Sequence, residues 1–387
     1  MGGATFKYND DDDHGIPILQ IPSRSRSQRA RLSYQRWRNP LLVIGGILFV
    51  LYFLQGGERD STDWSRLAYV QYATDTHTLC NALMIFDSLK RLGSKADRAL
   101  LYPEEWDRGS DDPEDRTTLL LKQAKRSYGA KMKPVQLLSI DGPAEPGTLK
   151  SPSDYGTSIT KFRLFELEEY DRVIYFDGDS ILQQHMDELF QLPPTTMAMP
   201  RAYWSDQPRD RWPLASTLMV LSPNVAETKH IYETLQWWRL QPDRDDSRHY
   251  DSDLLNDRFG SSALVLPHRP YLLQTMEFRW DDHAAYLGSY GAPASAIKWD
   301  PHVALEEAKL IHFSDWPLPK PWIMWPRDGL TEIQPSCGGS HVASCDEREI
   351  WKGLYEKFRL KRRDVCRILS VPAPQDWKQY KNDTGAL

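Results

Sequence analysis

The 387-residue sequence lacks the glycine-rich motifs of the commonest nucleotide-binding folds. It contains neither Gly-x-Gly-x-x-Gly, which places a dinucleotide's pyrophosphate at a helix N-terminus, nor Gly-x-x-x-x-Gly-Lys, the phosphate-binding loop. The sequence therefore does not predict a dinucleotide site or a P-loop. If the protein binds phosphates, metal ions and cationic side chains must hold them in place of a glycine cradle.

Cysteine and net positive charge are also scarce. The four cysteines are Cys80, Cys337, Cys345 and Cys366, and the absence of Cys-x-x-Cys argues against a zinc site. Cys337 and Cys345 flank a Gly-Gly-Ser loop and can pair easily, but four cysteines allow three pairings and the sequence does not choose among them. The formal net charge of -6 gives no indication of nucleic-acid binding.

The first 66 residues divide into three segments by composition. Residues 1–38 are polar, with an acidic run and six arginines, which predicts a disordered tail. Residues 39–57 carry no charge, and as a helix these 19 residues extend about 28 Å, the thickness of a thin bilayer. Because the arginines precede this span, the positive-inside rule places the N-terminus in the cytosol. We predict a cytosolic tail at 1–38, a transmembrane signal anchor at 39–57, a stem at 58–66 and a luminal body at 67–387. The alternative for the apolar run is a short buried helix.

The body of the chain alternates between strand-like and helix-like segments. Apolar runs at 67–73, 98–102, 134–140 and 173–176 are separated by stretches with helical periodicity, which predicts an α/β fold with a parallel sheet. Near the C-terminus, residues 351–363 form an amphipathic, basic helix that we interpret as a solvated face.

Two carboxylates follow the most apolar of these predicted strands. Asp177 and Asp179 come directly after the run Val173 to Phe176, with Gly178 between them to let the backbone turn. In open α/β sheets, ligands bind at the carboxyl ends of the strands. Two hard oxygen ligands suit Mg²⁺ or Mn²⁺, which in turn hold diphosphate oxygens. The alternative for an isolated Asp-Gly-Asp is a solvated turn.

Several further motifs occur in a recognisable order around this segment. They are Thr74-Asp75 followed by Asn81-Ala82-Leu83, Lys161 ahead of Asp177-Gly178-Asp179, then Asp251-Ser252-Asp253-Leu254-Leu255-Asn256, and finally His312-Phe313-Ser314 leading to Lys320-Pro321-Trp322. Together they resemble glycosyltransferase family 8, whose best-known member type is glycogenin. The fungal, Golgi-anchored members named glucose N-acetyltransferases are the most similar, and the resemblance spans roughly residues 67–322.

The resemblance implies a fold and a set of ligands. The fold is an α/β fold of the GT-A type, a Rossmann-like mixed sheet flanked by helices, that binds a UDP-sugar donor through Mn²⁺, with Mg²⁺ as the other possibility. The implied metal ligands are Asp177, Asp179 and His312. Two carboxylates and one imidazole suit Mn²⁺, because the imidazole favours Mn²⁺ over Mg²⁺.

The resemblance also implies roles for other side chains. Lys320 binds the donor's phosphates and Lys161 its sugar, although a solvated helix lysine is the alternative for Lys161. The base and ribose are lined by Thr74, Asp75 and Thr78, of which Thr74 and Asp75 could instead form an N-terminal turn. Gly178 belongs to the donor site with Asp177. The candidate catalytic residues are Asp251, Asp253 and Lys161, and ordinary helix capping is the alternative for Asp251.

Three departures from the family pattern affect the expected donor rather than the class. Ala215-Ser216-Thr217 replaces an Asn-Ser-Gly segment, Ser252 replaces a Gln, and Asp315 occupies a position where Gly is common. Four tryptophans are candidates for stacking on acceptor sugars, with core packing as the alternative for each: Trp204, Trp212, Trp316 and Trp322.

The resulting hypothesis is a Golgi-membrane, single-pass type II, retaining glycosyltransferase. It transfers N-acetylglucosamine from UDP-N-acetylglucosamine, or glucose or galactose from its UDP-sugar, to mannose-containing glycans of glycoproteins. A non-catalytic luminal sugar-binding protein and a metal-dependent hydrolase of nucleotide sugars are the alternatives. The set Asp177, Asp179, His312 and Lys320 favours the transferase over both.

Overall fold

The largest sheet is built around a strand whose successive residues face opposite layers of the core. The computed structural model describes residues 62–109, 112, 114–138, 155–240, 251–288, 298–315, 321–337 and 345–372. In the strand Leu67–Tyr72, residues Leu67 and Tyr69 pack into one apolar cluster, while Ala68 and Val70 pack into the other. The alternation of side chains along a strand therefore gives the sheet two buried faces.

Twelve strands are described. They are β1 (Leu67–Tyr72), β2 (Asp97–Pro103), β3 (Lys131–Val135), β4 (Arg172–Phe176), β5 (Ser180–Leu182), β6 (Met197–Pro200), β7 (Leu218–Leu221), β8 (Leu264–Leu266), β9 (Leu273–Gln274), β10 (Leu310–His312), β11 (Ile323–Met324) and β12 (Val371–Pro372).

Nine α-helices are described within the same ranges. They are α1 (Thr76–Leu92), α2 (Arg116–Tyr128), α3 (Val225–Arg239), α4 (Asp251–Phe259), α5 (His268–Tyr271), α6 (Ala284–Leu287), α7 (Pro301–Glu307), α8 (Arg327–Ile333) and α9 (Asp346–Cys366). A longer segment, Tyr155–Glu166, is a 3₁₀ helix where the sequence predicts an α-helix.

The strand order of the main sheet is β3-β2-β1-β4-β7-β6-β8. The pairs β3/β2, β2/β1, β1/β4 and β6/β8 are parallel, whereas β7 runs antiparallel to both β4 and β6. The prediction of a mixed α/β sheet flanked by helices is confirmed. Because β1 and β4 are parallel neighbours, the residues after Tyr72 and after Phe176 lie at the same edge of the sheet.

A second sheet of three strands, β5-β10-β9, adjoins this edge. Its register pairs His312 with Ser180 across antiparallel strands, and His312 with Gln274 across parallel strands. These pairings bring the end of β10 next to Asp179, which is confirmed by the hydrogen bond from Phe313 N to the Asp179 carbonyl oxygen at 3.0 Å.

One face of the C-terminal helix α9 packs into the core, and the opposite face, with Lys352, Glu356 and Lys357, is exposed. The predicted amphipathic helix is confirmed, but its interpretation as no more than a solvated face was wrong, because six of its residues are buried at helical spacing: Trp351, Leu354, Tyr355, Phe358, Arg362 and Cys366. A disulfide between Cys80 and Cys366 joins α9 to α1, and a second disulfide joins Cys337 to Cys345. The sequence left the pairing open, and the structure resolves it.

The predicted tail, membrane anchor and most of the stem lie outside the described residues, because the description begins at residue 62. Among the helices that are described, none is long and apolar enough to span a membrane.

Candidate active site

Three predicted metal ligands converge at the edge where β4 and β10 end and β5 begins. One ligand atom from each of Asp177, Asp179 and His312 lies within 4.8 Å of the other two. His312 Nε2 is 3.3 Å from Asp179 Oδ1 and 4.0 Å from Asp177 Oδ2. Two atoms that are each about 2.1 Å from an octahedral ion lie between about 3.0 and 4.2 Å apart. The three side chains therefore fit a divalent cation.

Neighbouring side chains orient each ligand of this cluster. Gln274 Oε1 accepts a hydrogen bond from His312 Nδ1 at 2.7 Å, and the other ring nitrogen, Nε2, faces the carboxylates. Tyr175 donates its hydroxyl hydrogen to Asp177 Oδ1 at 2.6 Å, so Oδ2 is the oxygen that faces His312. Such outer contacts are typical of metal sites, where they fix the tautomer and orientation of the ligands.

Lys161 is buried beside the cluster. Its ammonium group lies 3.2 Å from Asp177 Oδ1 and 2.7 Å from Asp251 Oδ2, and the side chain is 3% exposed. Burial alone would lower the pKa of Lys161, but the charges of Asp177 and Asp251 outweigh it and raise the pKa above its ordinary value. Lys161 is therefore a permanent cation that links the two carboxylates, and the alternative of a solvated helix lysine is wrong.

Asp251 begins α4 and is also buried. Burial would raise the pKa of Asp251, but the charge of Lys161 and hydrogen bonds from Lys161, Ser216 and Ser158 lower it below its ordinary value. Ser158 Oγ lies 2.9 Å from Asp251 Oδ1. Asp251 is consequently an ionised carboxylate in this site. Asp253 lies two residues further along α4, so it projects from a different side of the helix, because consecutive residues turn by about 100°.

The predicted nucleotide-lining residues form the beginning of α1. Asp75 Oδ1 accepts hydrogen bonds from His77 N at 2.6 Å and Thr78 N at 2.8 Å. Thr78 Oγ1 in turn accepts hydrogen bonds from Thr74 N and Asp75 N, each at 3.0 Å. Asp75 and Thr78 therefore form a capping box, the N-terminal turn that the sequence offered as the alternative. This turn lies at the same sheet edge as the metal ligands.

Gly178 lies between the two aspartates, where β4 leads into β5. Its backbone is not left-handed, so the turn between the two aspartates does not require a glycine for that reason. A Cβ at this position would lie 3.4 Å from the Cβ of Asn81 and 3.7 Å from Gln71 Oε1. The Asp-Gly-Asp segment is thus packed closely against α1 and β1.

The structure describes some of the remaining predicted residues, Lys320 and the four tryptophans, and not others. Lys320 and Trp316 lie outside the described residues. Trp212 is buried and donates its Nε1 hydrogen to the Gln207 carbonyl oxygen at 3.0 Å, so it packs in the core. Trp204 is partly buried against the core, and Trp322 lies against Arg362 on α9.

The structure explains why this chain has Asp315 at a position where the family commonly has glycine. The carboxylate is buried and accepts hydrogen bonds at Oδ2 from Trp351 Nε1 at 3.0 Å and from the Tyr355 hydroxyl at 2.8 Å. A glycine at this position would leave both donors of α9 without this acceptor. Asp315 therefore connects the end of β10 to the C-terminal helix.

The sequence is closely similar to one group of curated proteins. It is 46% identical over 365 residues to glucose N-acetyltransferase 1 of Aspergillus fumigatus, covering 90% of this chain and 92% of that protein. The chain belongs to the fungal glucose N-acetyltransferase family. Glucose N-acetyltransferase 1 of Gibberella zeae is 43% identical, with coverage of 82% of this chain and 66% of that protein.

Family membership confirms the resemblance described from the motifs. A more distant relative is the glycogenin of Neurospora crassa, which is 29% identical over 150 residues, 38% of this chain and 19% of that protein. No protein-family model matches the sequence. This protein is therefore a glycosyltransferase, as the motifs predicted.

Proposed function

We propose that this protein transfers N-acetylglucosamine from UDP-N-acetylglucosamine to mannose-containing glycans of glycoproteins, with retention of anomeric configuration. The observation that carries the proposal is the Asp177, Asp179 and His312 cluster, whose ligands are held by Gln274, Tyr175 and Lys161. The similarity to proteins named glucose N-acetyltransferase supports the donor. Glucose or galactose is the alternative donor sugar.

The cluster accounts for binding of the donor diphosphate. The proposed ion is Mn²⁺, with Mg²⁺ as the alternative, and when bound it neutralises charge on the departing nucleoside diphosphate. Asp177 and Asp179 hold this ion with His312, and the contact with Lys161 at 3.2 Å orients the Asp177 carboxylate. We assign phosphate binding also to Lys320, and base and ribose binding to the turn that contains Thr74, Asp75 and Thr78.

Lys161 and Asp251 are proposed to act on the donor sugar together. The Lys161–Asp251 ion pair is buried, and the low pKa of Asp251 keeps a negative charge beside the metal cluster. A fixed carboxylate stabilises the positive charge that develops on a sugar as its bond to the leaving group breaks. Asp253 is retained as a second candidate for this role. Asp177 and Asp179 are committed to the metal and are not nucleophiles.

The cellular placement is part of the proposal. We propose a Golgi-membrane protein of type II with a cytosolic tail at 1–38, an anchor at 39–57, a stem at 58–66 and a luminal catalytic body at 67–387. The support is the uncharged 19-residue span and the arginines that precede it.

The test is acceptor-dependent release of UDP by the purified full-length chain with Mn²⁺. UDP-N-acetylglucosamine, UDP-glucose, UDP-galactose and GDP-mannose are each supplied with and without mannose oligosaccharides. We expect turnover with the first donor, and a loss of about a thousandfold in Asp179→Ala or with a chelator, because the metal contributes several kcal/mol to the transition state.

Asp171→Ala is the matched control. Asp171 directly precedes β4, the strand that Asp177 follows. It is exposed and pairs with Arg66 on the surface, so its removal should leave turnover unchanged. UDP release that does not need an acceptor would support the hydrolase. Binding of Mn²⁺ and donor by folded protein without any turnover would support the sugar-binding protein.

A further inference from the structure

Arg362 on α9 is a buried cation that has no acidic side chain at ion-pair distance among the residues that the structure describes. The residue is 1% exposed. In the described part of the chain its hydrogen-bond acceptors are neutral: the His77 carbonyl oxygen at 3.2 Å, Asn81 Oδ1 at 3.0 Å and His77 Nδ1 at 2.6 Å. The Nε hydrogen has no acceptor among the described residues. Arginine is seldom fully buried unless it is paired.

The guanidinium group keeps its charge in this position. Burial lowers the pKa of Arg362 to about 10, with Asp75 acting weakly in the opposite direction, so the group is protonated at neutral pH. The indole of Trp322, whose ring centre is 5.9 Å away, covers the cation from one side. A buried charge of this kind is costly until an anion compensates it.

The neighbours of Arg362 connect it to the metal cluster. Asn81, which accepts its hydrogen bond, lies next to Gly178, the residue between the two aspartates. His77 lies in the first turn of the 17-residue helix α1. Since Arg362 donates to His77 Nδ1, the His77 ring proton is on Nε2 and is a further donor at this end of α1.

We propose that Arg362 supplies the positive charge that binds the diphosphate of the donor opposite the metal, acting as a positioning residue through His77 and Asn81. This inference rests on the proposed function and adds to it a cation from the last helix of the described chain. The diphosphate is then the anion that the described residues do not provide for Arg362.

The disulfide explains how this arrangement is maintained without ligand. Cys366 follows Arg362 by four residues, one helical turn, and is bonded to Cys80 in α1 beside Asn81. The link holds the guanidinium against the beginning of α1 although no acidic side chain of the described segments pairs with it.

The experiment measures UDP and uridine affinity calorimetrically, using the full-length chain with Mn²⁺. Uridine has the same base and ribose but no phosphate. We expect Arg362→Gln to weaken UDP binding about 10- to 100-fold and to leave uridine binding unchanged, because only the diphosphate interacts with the charge. Arg362→Lys should restore part of the UDP affinity.

Arg363→Gln is the matched control, because Arg363 is the next residue of α9 but is exposed and pairs with Asp364. Equal weakening of UDP and uridine, or unchanged UDP affinity in folded Arg362→Gln, would overturn the inference. If wild type binds neither UDP nor GDP, the proposed function itself fails. If the wild-type protein binds UDP or GDP and the Arg362 variants bind the same nucleotide equally well, only the inference about Arg362 fails.

Asn81→Asp provides a second test if Arg362→Gln does not fold. The substitution is nearly isosteric and places a carboxylate 3.0 Å from the guanidinium. We expect a higher Tm, because the buried cation gains a partner, together with weaker binding of UDP relative to uridine. Unchanged UDP affinity in this variant would contradict the inference.

Discussion

Lys161 and Arg362 are two buried cations at the same sheet edge, and they are compensated in opposite ways. Lys161 contacts two carboxylates, at 2.7 and 3.2 Å. Arg362 contacts only neutral acceptors in the described structure. The first cation completes an internal network that is satisfied before any ligand arrives, whereas the second leaves a charge that a ligand can satisfy. The difference separates a cation whose charge is compensated before ligand binds from one whose charge is compensated, in our proposal, by the ligand.

The largest effect is expected from breaking the compensated network. Lys161→Met leaves Asp177 and Asp251 without their shared cation, and loss of one partner of a buried ion pair costs about 3–5 kcal/mol. The measurement is urea unfolding in the presence of a chelator. Lys131→Met is the control, because Lys131 is exposed and lies 3.9 Å from Asp97, so its loss should cost less than about 1 kcal/mol.

The double variant Lys161→Met with Asp251→Leu sharpens this prediction. It removes both charges of the closer pair, so most of the unfolding free energy should return, while transferase turnover should not. A loss below about 1 kcal/mol in Lys161→Met would show that the network is not a source of stability.

The next effect concerns the covalent link near Arg362. Replacing Cys80 and Cys366 together by Ala should cost about 2–4 kcal/mol, because the disulfide closes a loop of 286 residues in the unfolded chain. The pair Cys337 and Cys345 closes a loop of 8 residues, so its removal should cost less. Equal losses in the two double variants, measured by urea unfolding, would contradict the loop-length argument.

A smaller effect on stability is expected at the uncompensated cation. Arg362→Gln loses hydrogen bonds and the contact with Trp322, but it also removes a charge that lacks an ion-pair partner. We expect a net cost of about 1–2 kcal/mol in urea unfolding, well below that of Lys161→Met. A cost of about 4 kcal/mol would mean that Arg362 is as well compensated as Lys161.

The smallest effect is a change in one histidine pKa. Burial and then the charge of Arg362 lower the pKa of His77 below 6.5. The unfolded chain therefore binds more protons than the folded one just below pH 6.5, and the stability contributed by neutral His77 is lost as pH falls. In Arg362→Gln, the His77 pKa should move up toward 6.5 in an NMR titration. An unchanged value would place Arg362 too far away to act electrostatically.

The sequence predicted the metal cluster because its members occur in a recognisable local context. Asp177 and Asp179 follow an apolar strand, and His312 ends a late one. Tyr175 could also have been found, since a tyrosine in a buried strand usually needs a hydrogen-bond partner. Gln274 carried no such signal, because β9 has only two residues and its pairing with β10 spans 38 residues of sequence.

The role of α9 was missed although its spacing contained the information. The helix is rich in charge, which favoured the interpretation of a solvated face. Yet Trp351, Leu354, Tyr355 and Phe358 follow the periodicity of a buried stripe, and Arg362 continues it. An arginine at a position of the apolar stripe could therefore have predicted that Arg362 is buried.

The Cys80–Cys366 bond also has a consequence for biosynthesis. The sheet, the aspartates and Lys161 all precede residue 313, so a growing chain can form them well before it is complete. Arg362 and Cys366 come later in the chain than all of these groups. A product truncated shortly before α9 would retain the metal ligands but lack the disulfide and the cation beside α1. Formation of the Cys80–Cys366 bond therefore requires that α9 has already been translated.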